Sequence, residues 1–166
     1  YKWSELNQPS GLAMFTLYSG ITDRAEPSES LKANTLFSLG FDSPKVLLCT
    51  AQLEKFWRNA DISTELEKRG VRGAYLVNVE FVLDAKQSKK WQLVANVEQS
   101  QTQVSALIQS LSDQNKVSAA LFENISCGSD ALARIMAASD GFQLTNEEDV
   151  VVHHYANTLF NNLRGG

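Results

Sequence analysis

The sequence predicts an α+β fold, with an antiparallel β half to about Val97 and an all-helical half from about Ser100. The β half is carried by two runs of alternating apolar residues, Gly73–Leu83 and Lys90–Val97, and the helical half by a switch to a 3.6-residue apolar period after Val97. Nucleotide-binding α/β folds alternate strand with helix, and that alternation is missing here, as are internal repeats and low-complexity segments.

Along the β half, Leu12-Ala-Met-Phe-Thr-Leu-Tyr18 follows Pro9-Ser10-Gly11 and stops at Ser19-Gly20, the bracketing of a short buried strand. The stretch from Thr22 to Ser30 has no apolar period and is expected to be a loop or a pairing edge. Asn34–Leu39 is a second strand, closed by Gly40 and the turn-forming Asp42-Ser43-Pro44, and Val46–Cys49 is a third. Leu53, Phe56 and Trp57 recur at helical spacing and predict a short amphipathic helix between Thr50 and Lys68. The mixed charges of Ser63–Arg69 predict a solvated surface loop. Tyr75, Val77, Val79, Phe81 and Leu83 then share one side of a strand, and Trp91, Leu93, Ala95 and Val97 one side of the next. With polar Asp84–Ser88 between them, the two runs predict an antiparallel hairpin with one wet face.

In the helical half, Val104, Leu107, Ile108 and Leu111 form one apolar stripe from about Ser100. Ala119–Phe122 predicts a second helix, Gly128 an interruption, and Ala131, Leu132, Ile135 and Met136 a third helix ending near Asp140-Gly141. Thr145-Asn-Glu-Glu148 has the form of a capping box and predicts a last helix, about Thr145 to Leu163. Its apolar positions Val151, Val152, Tyr155, Leu159, Phe160 and Leu163 span more than one stripe. Burial is worth about 1.5–3 kcal/mol for each such side chain, so this helix is expected to dock on the β half or to mediate self-association.

The 166 residues, 43% hydrophobic and 20% charged, suffice for one domain with a core and exclude a disordered chain. A formal charge of −4 argues against nucleic acid or an anionic membrane as partner. The apolar runs fall far short of the roughly 18–20 residues that cross a bilayer, and a cytoplasmic location is expected. The opening at Tyr1 and the end at Gly166 suggest a piece of a longer chain. Cys49 and Cys127 are expected to be reduced or buried thiols.

No nucleophile elbow, phosphate loop, dinucleotide-binding loop, zinc-protease motif or C-x-x-C is present, so no catalytic residue, metal site or cofactor is predicted. His153 and His154 are sequence neighbours, which a helix points about 100° apart, so they do not chelate one ion together. One is expected to be partly buried and hydrogen-bonded, the other at the surface. Glu147 and Glu148 are accounted for by the favourable field at a helix start. Sugars stack on flat aromatic faces, which makes Trp3, Trp57 and Trp91 candidates. Trp57 and Trp91 lie on apolar sides and are expected in the core, leaving Trp3 as the candidate carbohydrate-binding residue.

The block Gly73–Val97, followed by Val104-Ser-Ala-Leu-Ile-Gln-Ser-Leu111, resembles the last hairpin and following helix of the N-terminal β-sandwich in cellobiose-phosphorylase-like carbohydrate-active enzymes. The match departs from that family at Lys86-Gln87, where Gly-Glu is usual. The resemblance implies a galactose-mutarotase-like supersandwich portion over residues 1–97 and linker helices over 98–166, leading toward an (α/α)6 barrel that is not in this sequence. It implies a non-catalytic fragment of a phosphorylase, glycosidase or glucan-modifying enzyme, packed against the catalytic helical barrel of its parent chain and in reach of an oligosaccharide or glucan. The matched segment holds no catalytic residue of that family. The competing expectation is an interaction module of a multidomain protein with no carbohydrate role.

Overall fold

A computed structural model describes residues 2–17 and 32–165. The expected loop or edge from Thr22 to Ser30 lies outside the described residues. Compact packing divides the chain into two units, Tyr1–Val117 and Ser118–Gly166. The expected sequence boundary at residue 97 marks where strands give way to helices, whereas the compact units part later because the first long helix packs on the sheet.

The first unit contains strands β1 (Lys2–Asn7), β2 (Leu12–Leu17), β3 (Lys32–Leu39), β4 (Lys45–Leu47), β5 (Glu67–Arg69), β6 (Leu76–Asn78) and β7 (Gln92–Ser100), with short helix α1 (Leu53–Trp57) and helix α2 (Gln101–Ser110). Five strands form an antiparallel sheet in the order β5-β1-β2-β3-β7, and β4 pairs with β6 in a second, two-stranded sheet. β1 closes on β2 through Gln8–Gly11. In that turn Ser10 donates to the Asn7 side chain (2.8 Å), Gly11 N–H donates to Asn7 C=O (2.8 Å), and Gly11 takes φ +70°, which glycine adopts without strain.

The register assigns each residue to a face. Ser4, Leu6, Ala13, Phe15, Asn34, Leu36, Ser38, Leu93 and Ala95 are linked by cross-strand pairing and share one side of the five-stranded sheet. Against Leu6, Ala13 and Phe15 on that side pack Val46, Leu48 and Tyr75 from the small sheet and its flanks. The opposite side buries Leu12, Ala33, Thr35, Phe37 and Leu39, and α2 packs there on β3 and β7. β7 runs directly into α2. Ser100 ends the strand and caps the helix, its hydroxyl accepting from Gln103 N–H while the Gln103 side chain accepts from Ser100 N–H (2.8 Å).

Several expectations are corrected. The hairpin between Gly73–Leu83 and Lys90–Val97 does not form: β6 pairs with β4, β7 pairs with β3, and the two lie in different sheets. The polar connection does turn, with Gln87 N–H donating to Asp84 C=O (3.1 Å), but the flanking residues do not pair across it. Alternation of apolar residues specifies a strand and its inward side, not its partner. The charged stretch Ser63–Arg69 is not simply a solvated loop, since its last residues form edge strand β5 on β1 and Glu65 is buried. β1 was not legible because polar Ser4 occupies an inward position.

The second unit is helical. Helix α3 runs unbroken from Gln114 to Ala138, the unit boundary falling within it, and α4 spans Glu148–Leu163. Gly128 does not interrupt α3, because a single helical glycine costs only about 1 kcal/mol relative to alanine. α3 ends in a Schellman motif, where Gly141 N–H donates to Met136 C=O (2.6 Å), Asp140 N–H donates to Ala137 C=O (3.3 Å) and Asp140 takes the left-handed φ of +56°. Met136 is fully buried there, and Phe142 packs on Tyr155 with ring centroids 5.6 Å apart. The expected capping box at Thr145 does not form. α4 starts three residues later, and the Thr145 hydroxyl instead accepts from Glu147 N–H and donates to Glu147 C=O, while Glu148 and Asp149 supply the negative charge of the first turn. No helix among the described residues is long and apolar enough to cross a membrane.

A Cβ added at Gly128 would meet nothing within 4 Å. Gly128→Ala is therefore expected to stabilise the helical unit by about 0.5–1 kcal/mol, read as a higher denaturation midpoint of helix ellipticity.

Candidate functional site

The small sheet has only three residues in each strand, and it covers the β1–β2 side of the large sheet without reaching β7. Beside the covered core lies a cleft of about 430 Å³, lined by Ser4, Phe15, Asn34, Leu36, Gly73 and Tyr75 among others. Gly73 is needed at its wall: a Cβ there would lie 2.5 Å from the Phe15 ring, so only glycine lets the backbone rest on that ring. Tyr75 donates its hydroxyl to Ser38 (3.2 Å), and burial raises its phenol above the ordinary value.

From Leu36 the same side continues across β3 onto β7, where Leu93 is 60% exposed and Val97 69% exposed. Ala95 stands between them, also exposed. β7 is the last strand of the sheet. Its outer backbone groups from Gln92 to Asn96 have no strand partner among the described residues, and no charged residue lies between Trp91 and Val97. Edge strands are commonly protected by charge, so this one is unusually open to pairing. At the start of the strand Trp91 stacks on Phe41 (centroids 5.6 Å, 27° between planes) and leans on Phe81 (6.3 Å). Lys89 reaches over the Phe81 ring and pairs with Asp42 (2.8 Å), and its hydrogen bond and charge hold the Asp42 carboxyl below its usual range.

The most heavily bonded carboxylate is Glu65, only 5% exposed. It accepts from Leu48 N–H (2.8 Å), Cys49 N–H (3.1 Å), Gln52 Nε2 (2.9 Å), Lys68 Nζ (3.2 Å) and the Cys49 thiol (3.5 Å). Its own N–H donates to Val46 C=O (2.9 Å). Burial alone would raise its pKa, but the donors around it prevail and hold the carboxyl below its ordinary value of 4.5. This cluster is a bracket that ties the chain after β4 to the approach to β5. Its groups are occupied with one another, and Cys49 is buried with them.

The residues singled out from the sequence are scattered. Trp3 is half-buried on β1, with the Arg69 guanidinium 4.5 Å above its ring, so one ring face is already covered, and its buried indole N–H has no hydrogen-bond partner among the described residues. Trp57 and Trp91, expected in the core, are 72% and 49% exposed. The helix carrying Trp57 has only five residues, too short to turn its apolar side inward, and the strand side carrying Trp91 has no covering layer. His154 is half-buried with Nε2 on Asp140 C=O, and His153 is exposed. Cys127 is exposed on α3. On α4, Val151, Tyr155 and Leu159 are half-buried, whereas Val152, Phe160 and Leu163 face solvent. Sequence reasoning missed Glu65. Its surroundings, one of several charges in a polar run and three residues after the buried Ile62, offer almost no signal.

No protein-family model matches the chain, and no curated protein matches it. The resemblance to the cellobiose-phosphorylase-like enzymes thus rests on sequence pattern alone, in a segment whose hairpin is not formed.

The Glu65 bracket sets a pH dependence. A carboxyl ionising lower in the folded than in the unfolded chain contributes stability that is full above the ordinary value of 4.5 and is lost as pH falls through the lower folded value. Glu65→Gln removes the charge and turns an amide donor toward Gln52 and Lys68, at an expected cost of about 3 kcal/mol near neutrality. Urea unfolding at pH 7 and at pH 3.5 checks this: the difference between wild type and variant should shrink at the lower pH.

Proposed function

We propose that this chain is a non-catalytic interaction module whose binding face is the uncovered side and free edge of β7. The observation that carries the reading is the row Leu93, Ala95 and Val97, apolar and solvent-facing on an edge strand that has no charged residue before Glu98. Contiguous exposed apolar surface on a folded domain marks a place where something docks, and a free strand edge adds main-chain hydrogen bonds to side-chain packing. The neighbouring cleft, with Asn34 and Tyr75 beside Phe15 and Leu36, supplies polar groups that orient what lies on the apolar row. The exposed side of α4, with Val152, Phe160 and Leu163, is a second surface of the same kind.

The carbohydrate-enzyme reading places the parent chain's catalytic barrel against this fragment and a glucan within reach of its aromatics. One observation favours it: the Trp91 indole, stacked on Phe41 and partly open to solvent, is a flat platform of the sort sugars use. Trp3 suits that role less, with Arg69 already over its ring. A soluble β-glucan that shifts tryptophan emission in wild type but not in Trp91→Ala would favour the carbohydrate reading.

The interaction reading is tested through stability. Because Leu93 touches little within the chain, Leu93→Lys is expected to change unfolding free energy by no more than about 0.5 kcal/mol when measured on dilute protein. Leu12→Ala, on the buried side, should cost about 2–5 kcal/mol. A loss for Leu93→Lys as large as that of Leu12→Ala would mean that the face is covered within the chain, and the reading would fail.

A further inference from the structure

We propose that the two-stranded sheet is a cover latched by Glu65, and that protonation of Glu65 opens it while the five-stranded sheet stays folded. The latch stands whether or not the β7 face docks a partner. Its two ends are fixed in different sheets. Directly after Glu65, Leu66 C=O accepts from Leu6 N–H (2.8 Å) and β5 pairs with β1, so the Glu65 backbone is tied to the large sheet. The amides that its carboxylate holds, those of Leu48 and Cys49, follow directly from β4 of the small sheet. Without that grip the cover is held by the Glu65 N–H bond to Val46 C=O, the Tyr75 bond to Ser38 and the packing of Val46, Leu48 and Tyr75, and its own ladder has three residue pairs.

The carboxylate has nowhere to put a proton. Oε2 faces the Leu48 and Cys49 amides, and Oε1 faces Gln52 Nε2 and Lys68 Nζ. The Gln52 carbonyl oxygen is already taken by Ser63 N–H (3.0 Å). The titratable groups in contact are Lys68 on β5 and the Cys49 thiol after β4, and of all these partners only the thiol sulfur could accept, weakly. A proton on either oxygen therefore meets donors, and two buried amides lose their acceptor. Because the same donors hold the carboxyl below 4.5, the latch is closed above that value and is released as pH falls through the lower one.

The cover hides one end of a continuous row. The cross-strand pairs Leu6 with Ala13, Ala13 with Leu36 and Leu36 with Ala95 run across β1, β2, β3 and β7 on one side of the sheet. Val46, Leu48 and Tyr75 pack at the Leu6 and Ala13 end, whereas Ala95 is already exposed. Opening the cover extends the bare apolar side from β7 to β1.

Cys49 reports the opening, because its buried thiol sits inside the latch. In a Cys127→Ser chain, dithiodipyridine, a thiol reagent that works in acid, should label Cys49 slowly at pH 7. Relative to glutathione at the same pH, labelling should be at least about threefold faster at pH 3, with far-UV ellipticity retained. Its rate should rise with urea much less steeply than global unfolding does, since a local opening exposes less surface. Glu65→Gln should label at least about tenfold faster than wild type at pH 7 and lose most of the response to acid. Should that variant fail to fold, Lys68→Met, which leaves the carboxylate its two amides, should label faster than wild type at pH 7 and gain less from acid. Amide exchange in the β4–β6 ladder should keep pace with labelling, while the amides between β2 and β3 stay slower. Labelling with the urea dependence of global unfolding, labelling indifferent to acid, ellipticity lost over the same pH range, or β4–β6 amides as protected as those of β2–β3 while Cys49 labels overturns the proposal. None of these would disturb the interaction reading, which falls on the stability of Leu93→Lys.

Discussion

The length of the small sheet governs this architecture. With three residues in each of β4 and β6, it covers the large sheet where Leu6, Ala13 and Phe15 lie and reaches β3 through the Tyr75–Ser38 bond, whereas Leu93, Ala95 and Val97 of β7 on that side stay exposed. The other side has no such shortage: α2 packs on β3 and β7, and Phe37, Leu39 and Leu111 at the end of that helix are buried. One sheet therefore has a complete core behind it and a partial one in front. Extending β6 beyond Asn78 would close the gap, but Val79 to Leu83 leave the small sheet and present Phe81, Val82 and Leu83 to solvent instead.

The Glu65 bracket holds the short sheet in place. Three residue pairs supply few ladder hydrogen bonds, and an isolated two-stranded sheet is marginally stable in water. Beyond the end of β4, the carboxylate collects the Leu48 and Cys49 amides that no strand takes, and it anchors them to Gln52 and Lys68. A buried acceptor that satisfies two otherwise orphaned backbone donors substitutes for missing strand length. Fold and binding surface are connected at this point, because the segment that Glu65 ties down also positions the Ala74 and Tyr75 rim of the cleft through Ala74 N–H and Leu48 C=O (2.9 Å).

The class of the fold was legible because it depends on local periodicity. The strands at Leu12, Asn34, Val46 and Gln92 and the helix after Ser100 each announce themselves within a few residues, and the antiparallel sheets with helices after them are as expected. Pairing was not legible. Tyr75–Leu83 and Trp91–Val97 look like the two arms of one hairpin, yet the first is drawn to β4 and the second to β3, because those edges offer buried apolar partners such as Val46 and Phe37. Exposure followed the same logic. Trp91 and Leu93 sit on an apolar strand side, which predicts burial only if a covering layer exists, and sequence alone does not reveal how far that layer extends. Glu65 was hidden for the complementary reason, a buried charge in a run whose composition is that of a surface.

The central claim, a β7 with a bare side and a free edge, is tested most directly by amide hydrogen exchange followed residue by residue in dilute protein. Exchange reports local opening and solvent access along one strand, so it separates the two edges of β7 within the same molecule. In dilute protein the β7 amides bonded to β3 should be protected and the alternate, outward amides from Gln92 to Asn96 should exchange quickly. Protection of both sets, or of neither, would contradict the account.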